Sequence, residues 1–134
     1  MFNSCRHKGF LIATLLILVS VVVVLASGDK NVPVIEGSYD YVANYEIGKK
    51  AGTQTQGHKF IVTSNEGIHY LHWGKLKVEA KRVANGLIYE WKLDEAQGQG
   101  IYMFHDDCRN VFGTFHITDK EGFHSGTTVG KKSK

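Results

Sequence analysis

The chain has 134 residues, is 43% hydrophobic and 11% aromatic, and carries a formal net charge of +3 with 15 glycines, one proline and two cysteines. Two of its 16 basic residues, Arg6 and Lys8, fall in the first 28 positions, which hold none of the 13 acidic ones, so the remainder is nearly neutral. That balance argues against nucleic acid as a partner, since such binding rests on a Lys and Arg surplus facing phosphates, and the roughly 106 residues that remain exclude more than one domain.

Arg6, His7 and Lys8 precede a long, largely apolar run from Phe10 to Ala26. A signal-peptide core takes about 7 to 15 apolar residues and a spanning helix about 17 to 25. The run lies at the boundary: Val24 and Ala26, or Ala26 and Gly28, suit a cleavage site, while the four consecutive valines at 21–24 suit an anchor. Residues 1–28 are therefore expected to form one apolar helix, either a signal peptide or a single transmembrane anchor, that engages the membrane through residues 10–26. The basic flank predicts a cytoplasmic N-terminus. The rest is then outside the cytoplasm, at the cell membrane or, after cleavage, secreted or periplasmic. The run does not end in a cysteine, which disfavours lipid attachment there. Beyond it only Cys108 remains, so no internal disulfide can form, and an exported domain must be held by core burial and sheet hydrogen bonds.

Gly28 and Pro33 mark residues 29–36 as a linker, after which the hydrophobic period becomes two. Tyr39, Tyr41, Ala43, Tyr45 and Ile47 share one face of a first strand, with Ser38, Asp40, Asn44 and Glu46 on the other. The same alternation marks strands at His58 to Thr63, Ile68 to Trp73, Lys75 to Lys81, Leu87 to Leu93, Ile101 to His105, Val111 to Thr118 and Phe123 to Val129. Turn chemistry separates them at Ser64-Asn65-Glu66-Gly67, Ala84-Asn85-Gly86, Gly98-Gln99-Gly100 and Asp119-Lys120-Glu121-Gly122. The fold class is all-β: about eight antiparallel strands over 37–130, as a meander or a small closed barrel, with a solvated basic tail at 131–134.

An eight-stranded barrel is filled by side chains or holds one small ligand. The inward set has many large rings, among them Tyr39, Tyr41, Tyr45, Phe60, Tyr89 and Phe115, which favours a filled interior. If a cavity exists instead, Trp73, Trp91, Tyr102 and Phe104 are the expected lining.

Seven histidines raise the question of a metal. A last hairpin centred on Lys120 would set His116 against His124 on the outer face and Ile117 against Phe123 in the core. Two exposed imidazoles with no carboxylate or thiolate beside them make a weak site, and neither a metal nor another cofactor is expected. His69 and His72 point to opposite faces of one strand and cannot chelate together. His105-Asp106-Asp107-Cys108-Arg109 gathers a thiol, an imidazole and two carboxylates, but a polar hairpin loop explains it better than a catalytic group, whose members converge from separate segments. Phosphate-cradling, zinc-protease, nucleophile-elbow and dinucleotide motifs are absent from the sequence, and no catalytic residue is indicated.

Gly57-x-x-Phe60-x-Val62, Tyr70-x-x-Trp73, Gly98-x-Gly100, Val111-Phe112-Gly113-Thr114-Phe115 and Gly122-x-x-x-Gly126-Thr127, in that order, resemble a family of small exported bacterial β-meander proteins of lipocalin-like or avidin-like appearance. The resemblance covers about Gly37 to Gly130. It implies the barrel and no functional residue, and the polar constellation of a biotin pocket is not present. The expected function is an envelope β-barrel domain that binds a small apolar ligand or a protein partner and is not an enzyme. The alternatives are a structural or interaction module with a filled core, whose contacts are made by an outer face or the loop near Cys108, and, third, a Cys108-dependent enzyme.

Overall fold

The computed structural model describes residues 32–134; the apolar helix expected at 10–26 lies outside the described residues. Eight strands follow in order: β1 Gly37–Ile47, β2 His58–Asn65, β3 Ile68–Trp73, β4 Leu76–Val83, β5 Gly86–Leu93, β6 Ala96–His105, β7 Asn110–Asp119 and β8 Gly122–Lys132. Each pairs antiparallel with the next, and β8 returns to β1 to close the barrel. Closure leaves no sheet edge open to another chain. Among the described residues no helix is long and apolar enough to cross a membrane.

Five of the seven connections are two-residue hairpin turns, at 66–67, 74–75, 84–85, 94–95 and 120–121. Glu66 (φ 50°) and Gly67 (φ 81°) both take the left-handed region that such turns require. The long connection, 48–57, folds back along β1: Thr55 N donates to Ala43 O and Tyr45 N to Thr53 O, both at 2.9 Å. It thereby continues β2 beside the upper half of β1.

Gly98-Gln99-Gly100 is not a turn. It lies inside β6, with Trp91 opposite Gly98 and Tyr89 opposite Gly100, and the turn sits at Asp94 (φ 51°) and Glu95. Glycine in a strand marks close approach as well as chain reversal, and here it makes room for the facing rings. Ile47 does not continue the inward face of β1 either. A register shift between Tyr45 and Ile47 turns it out, and it is 57% exposed.

The lower half of the barrel, where the chain enters β1, is solid. Tyr39, Phe60, Leu71, Leu87, Phe104 and Val111 are at most 2% exposed, each large side chain adding about 1.5–3 kcal/mol by burial. Residues 33–36, expected to be linker, close this end: Ile35 is fully buried and its carbonyl accepts the Tyr39 hydroxyl at 2.7 Å. Arg82 Nη2 donates to Pro33 O at 2.9 Å, and Ser64 Oγ to Glu36 Oε1 at 2.7 Å. The Ser64 hydroxyl is the main cause holding the Glu36 carboxyl below its ordinary range. The basic tail joins the same end, since β8 runs on to Lys132, Ser133 N donates to Ser38 O, and Lys132 Nζ lies 5.7 Å from the Tyr39 ring centre.

Candidate functional site

The upper half is built differently. Six aromatic rings sit opposite glycines across neighbouring strands: Trp91 with Gly98, Tyr89 with Gly100, Tyr102 with Gly113, Phe115 and Tyr45 with Gly126, and Tyr41 with Gly130. A Cβ at Gly98 would lie 2.4 Å from the Trp91 indole, one at Gly100 2.5 Å from the Tyr89 hydroxyl, and one at Gly126 2.9 Å from Phe115 Cζ. The rings therefore lie against bare backbone on the wall instead of projecting to the axis. Large residues that would otherwise fill the barrel leave it open.

What remains is a cavity of about 260 Å³ at the upper end. Tyr41, Tyr89 and Tyr102 form its floor side, and Tyr45, Trp73, Leu76, Trp91 and Ile117 surround it toward the mouth, with Thr55, His58 and Thr128 as polar members. No Asp, Glu, Lys or Arg lines it. Burial pushes the phenol of Tyr41 above its ordinary range and those of Tyr89 and Tyr102 well above it, so all three are neutral donors and acceptors at physiological pH.

The floor is an ordered stack. Tyr39 and Phe60 lie 5.0 Å apart and 9° from parallel, Phe60 and Tyr102 4.4 Å and 7°, and Tyr102 and Tyr89 5.3 Å and 29°, after which Trp73 meets Tyr89 edge-on at 5.0 Å. The stack begins in the solid half and ends at the cavity. Of the four residues expected to line a cavity, Trp73, Trp91 and Tyr102 border this one. Phe104 does not: it is 1% exposed and packs edge-on to Tyr39 at 5.2 Å in the solid half.

The 48–57 segment borders the mouth through Thr55 and is held from the far side by Lys50, whose Nζ is 3.9 Å from Asp119 Oδ2 and 3.6 Å from Glu121 Oε2. The Glu121 backbone amide donates to Asp119 Oδ1 at 2.8 Å and is the main cause lowering the Asp119 carboxyl below its ordinary range.

The paired histidines are not paired. Asp119 faces Gly122 around a two-residue turn, so His116 lies opposite Ser125, and His124 opposite Ile117. One residue of register moves each side chain to the other face. His116 stays outside, stacked on Phe123 at 5.8 Å, and Phe123 is 49% exposed instead of core. His124 is 1% exposed, its Nε2 3.3 Å from Asp119 Oδ1 and its Nδ1 without a partner. Asp119, Glu121 and His124 bring ligand atoms within 4.8 Å of one another, a grouping the sequence reading missed through its register. The Lys50 ammonium already lies against both carboxylates.

Cys108 is buried at the lower end, 2% exposed, in a turn where Asp106, Asp107 and Cys108 all have φ between 52° and 64°. Asn110 Nδ2 donates to Asp106 Oδ2 at 2.6 Å and Arg109 N to Asp106 O at 3.1 Å, which pins this left-handed turn. Burial raises the thiol above its ordinary range, which opposes the thiolate a nucleophile needs. A larger concavity of about 530 Å³ lies outside the barrel, with Glu90, Lys92, Gln97, Gln99, His116 and Thr118 among its members. Trp91 and Phe123 add apolar surface to its otherwise polar walls.

With this geometry in hand, comparison with known proteins adds no identity. No known protein family matches the sequence, and no curated protein is recognisably similar to it. The fold and the cavity are the ground on which function is argued.

Proposed function

We propose that the barrel is a binding module that takes one small apolar molecule through its upper mouth. The observation that carries this reading is the aromatic-walled cavity itself: seven large rings surround it, and six of them have a cross-strand glycine partner that lets them lie against the wall. Apolar pockets with a few polar groups are the usual form of small-molecule sites. The N-terminal run, with its basic flank, supports delivery of the domain to the outer side of a membrane, tethered or released. Lipocalin-like or avidin-like kinship is part of the same proposal, supported by the eight-stranded meander and its closed order. Binding is favoured over catalysis because Cys108 is buried with its thiol raised and sits at the opposite end from the cavity.

The test is native mass spectrometry of the full-length chain purified from its own membranes, followed by tryptophan emission during titration with apolar probes. A co-purifying small mass and a saturable emission change are expected. A clean apo mass with emission indifferent to every probe overturns the reading.

A second reading rests on a separate observation. Met103, Phe112, Val129 and Val42 align across β6, β7, β8 and β1 on the outer face, with Phe112 46% and Val129 52% exposed. An apolar row on the solvent side of a sheet is the kind of surface a protein partner covers. Crosslinking from position 112 in native membranes should capture a discrete protein, and recovery of none removes this reading.

A further inference from the structure

We infer that the cavity is matched to a flat, uncharged aromatic molecule of about two or three fused rings, a proposal that rests on the ligand-binding reading above. Size comes first. At the packing density of protein interiors, about 0.74, a space of about 260 Å³ takes about 190 Å³ of ligand atoms.

Shape follows from the glycine partners. A Cβ at Gly98 would lie 2.4 Å from the Trp91 indole and one at Gly126 2.9 Å from Phe115 Cζ, so both rings lie close against the wall and border the cavity from there. The stacked rings from Tyr39 to Tyr89 have nearly parallel planes and stop where the cavity starts. At that end Trp73 stands edge-on to Tyr89, at 61°, so a planar guest in the cavity meets ring faces and ring edges together. A saturated ring system of equal volume gains the same burial but cannot stack.

Charge is decided by what surrounds the site. No carboxylate, lysine or arginine lines the cavity, so an anion or a cation would enter without an ionic partner. Ring faces alone attract quaternary ammonium groups, so an ammonium probe is the competing case that the experiment must include. Thr55, Thr128 and the tyrosine hydroxyls provide neutral hydrogen bonds for a phenolic or heteroaromatic edge.

The two tryptophans of the chain, Trp73 and Trp91, both border the cavity, so intrinsic emission reports on it directly. The experiment titrates the full-length chain in lipid nanodiscs with three probes: β-naphthol, its fully saturated decahydro analogue, and phenyltrimethylammonium. β-Naphthol is expected to bind about tenfold more tightly than the saturated analogue, from face contacts beyond simple burial. In a Trp91→Leu variant, read through Trp73, that preference should collapse while the saturated probe still binds. Equal affinity for the flat and saturated probes overturns the aromatic assignment and leaves the apolar-ligand reading standing. Preference for the ammonium probe overturns it in favour of a cation cage. Failure of all three to move the emission overturns the ligand-binding reading itself.

Discussion

The Trp91 indole lies on Gly98, its cross-strand partner, so closely that a single added methyl would stand 2.4 Å from the ring. The open half of the barrel depends on this contact and its counterparts. Gly98→Val should push the indole off the wall into the cavity, at a cost of about 1–3 kcal/mol for overpacking. The expected outcome is a modest loss of thermal stability together with loss of apolar-probe binding, checked by a melting curve and a probe titration on the same preparation. Unchanged probe binding would show that the glycine does not keep the cavity open.

The two halves should answer differently to truncation of the same residue type. Phe60 is fully buried and stacked between Tyr39 and Tyr102, and Phe60→Ala should cost about 3–5 kcal/mol. Phe115 borders space that is already empty, so Phe115→Ala should cost clearly less. Denaturant midpoints of the two variants test the order, and equal losses would mean that the upper half is as tightly packed as the lower.

Four of the six tyrosines, Tyr39, Tyr41, Tyr89 and Tyr102, have phenols raised by burial. Their unfolded value is about 10. Below it both states hold the proton and pH has no effect through these groups. Above it the unfolded chain ionises first, so stability falls as pH rises from about 10 toward the folded values, by up to about 1.4 kcal/mol per pH unit for each fully buried phenol such as Tyr89 or Tyr102. Phenolate absorbance from these four should therefore rise only together with loss of the far-ultraviolet β signal. Ionisation of all four while the β signal is intact would contradict the burial.

Cys108 should be silent to thiol reagents in the native barrel. In a Cys5→Ser background the folded protein is expected to label slowly at neutral pH and fully after denaturation, because the thiol is both buried and raised. Rapid native labelling would restore it as a reactive group.

The strand pattern was legible because a half-buried strand alternates every second residue: β3 spans Ile68 to Trp73 and β5 ends at Leu93 as expected, although Leu93, expected inward with Leu87, Tyr89 and Trp91, is 55% exposed at the strand's end. Two local rules misled. Glycines at 98 and 100 read as a turn, and their true role depends on the rings of Trp91 and Tyr89 from another strand. The turn near Lys120 was placed half a residue off, which exchanged His124 for Phe123 as the buried side chain. The Lys50, Asp119, Glu121 and His124 grouping was invisible for the same reason, since it joins the 48–57 segment to a hairpin about seventy residues later.

The sequence by itself determined that this is an all-β domain of about eight strands with many inward rings, because alternation and turn residues are local properties of neighbouring positions. Whether the rings fill the barrel or line it was decided only in three dimensions. Side-chain volume is a property of composition, but the direction in which a ring lies is set by what faces it across the strands: Phe115 has glycine on both sides, and Trp91, Tyr89 and Tyr102 each have a glycine on one.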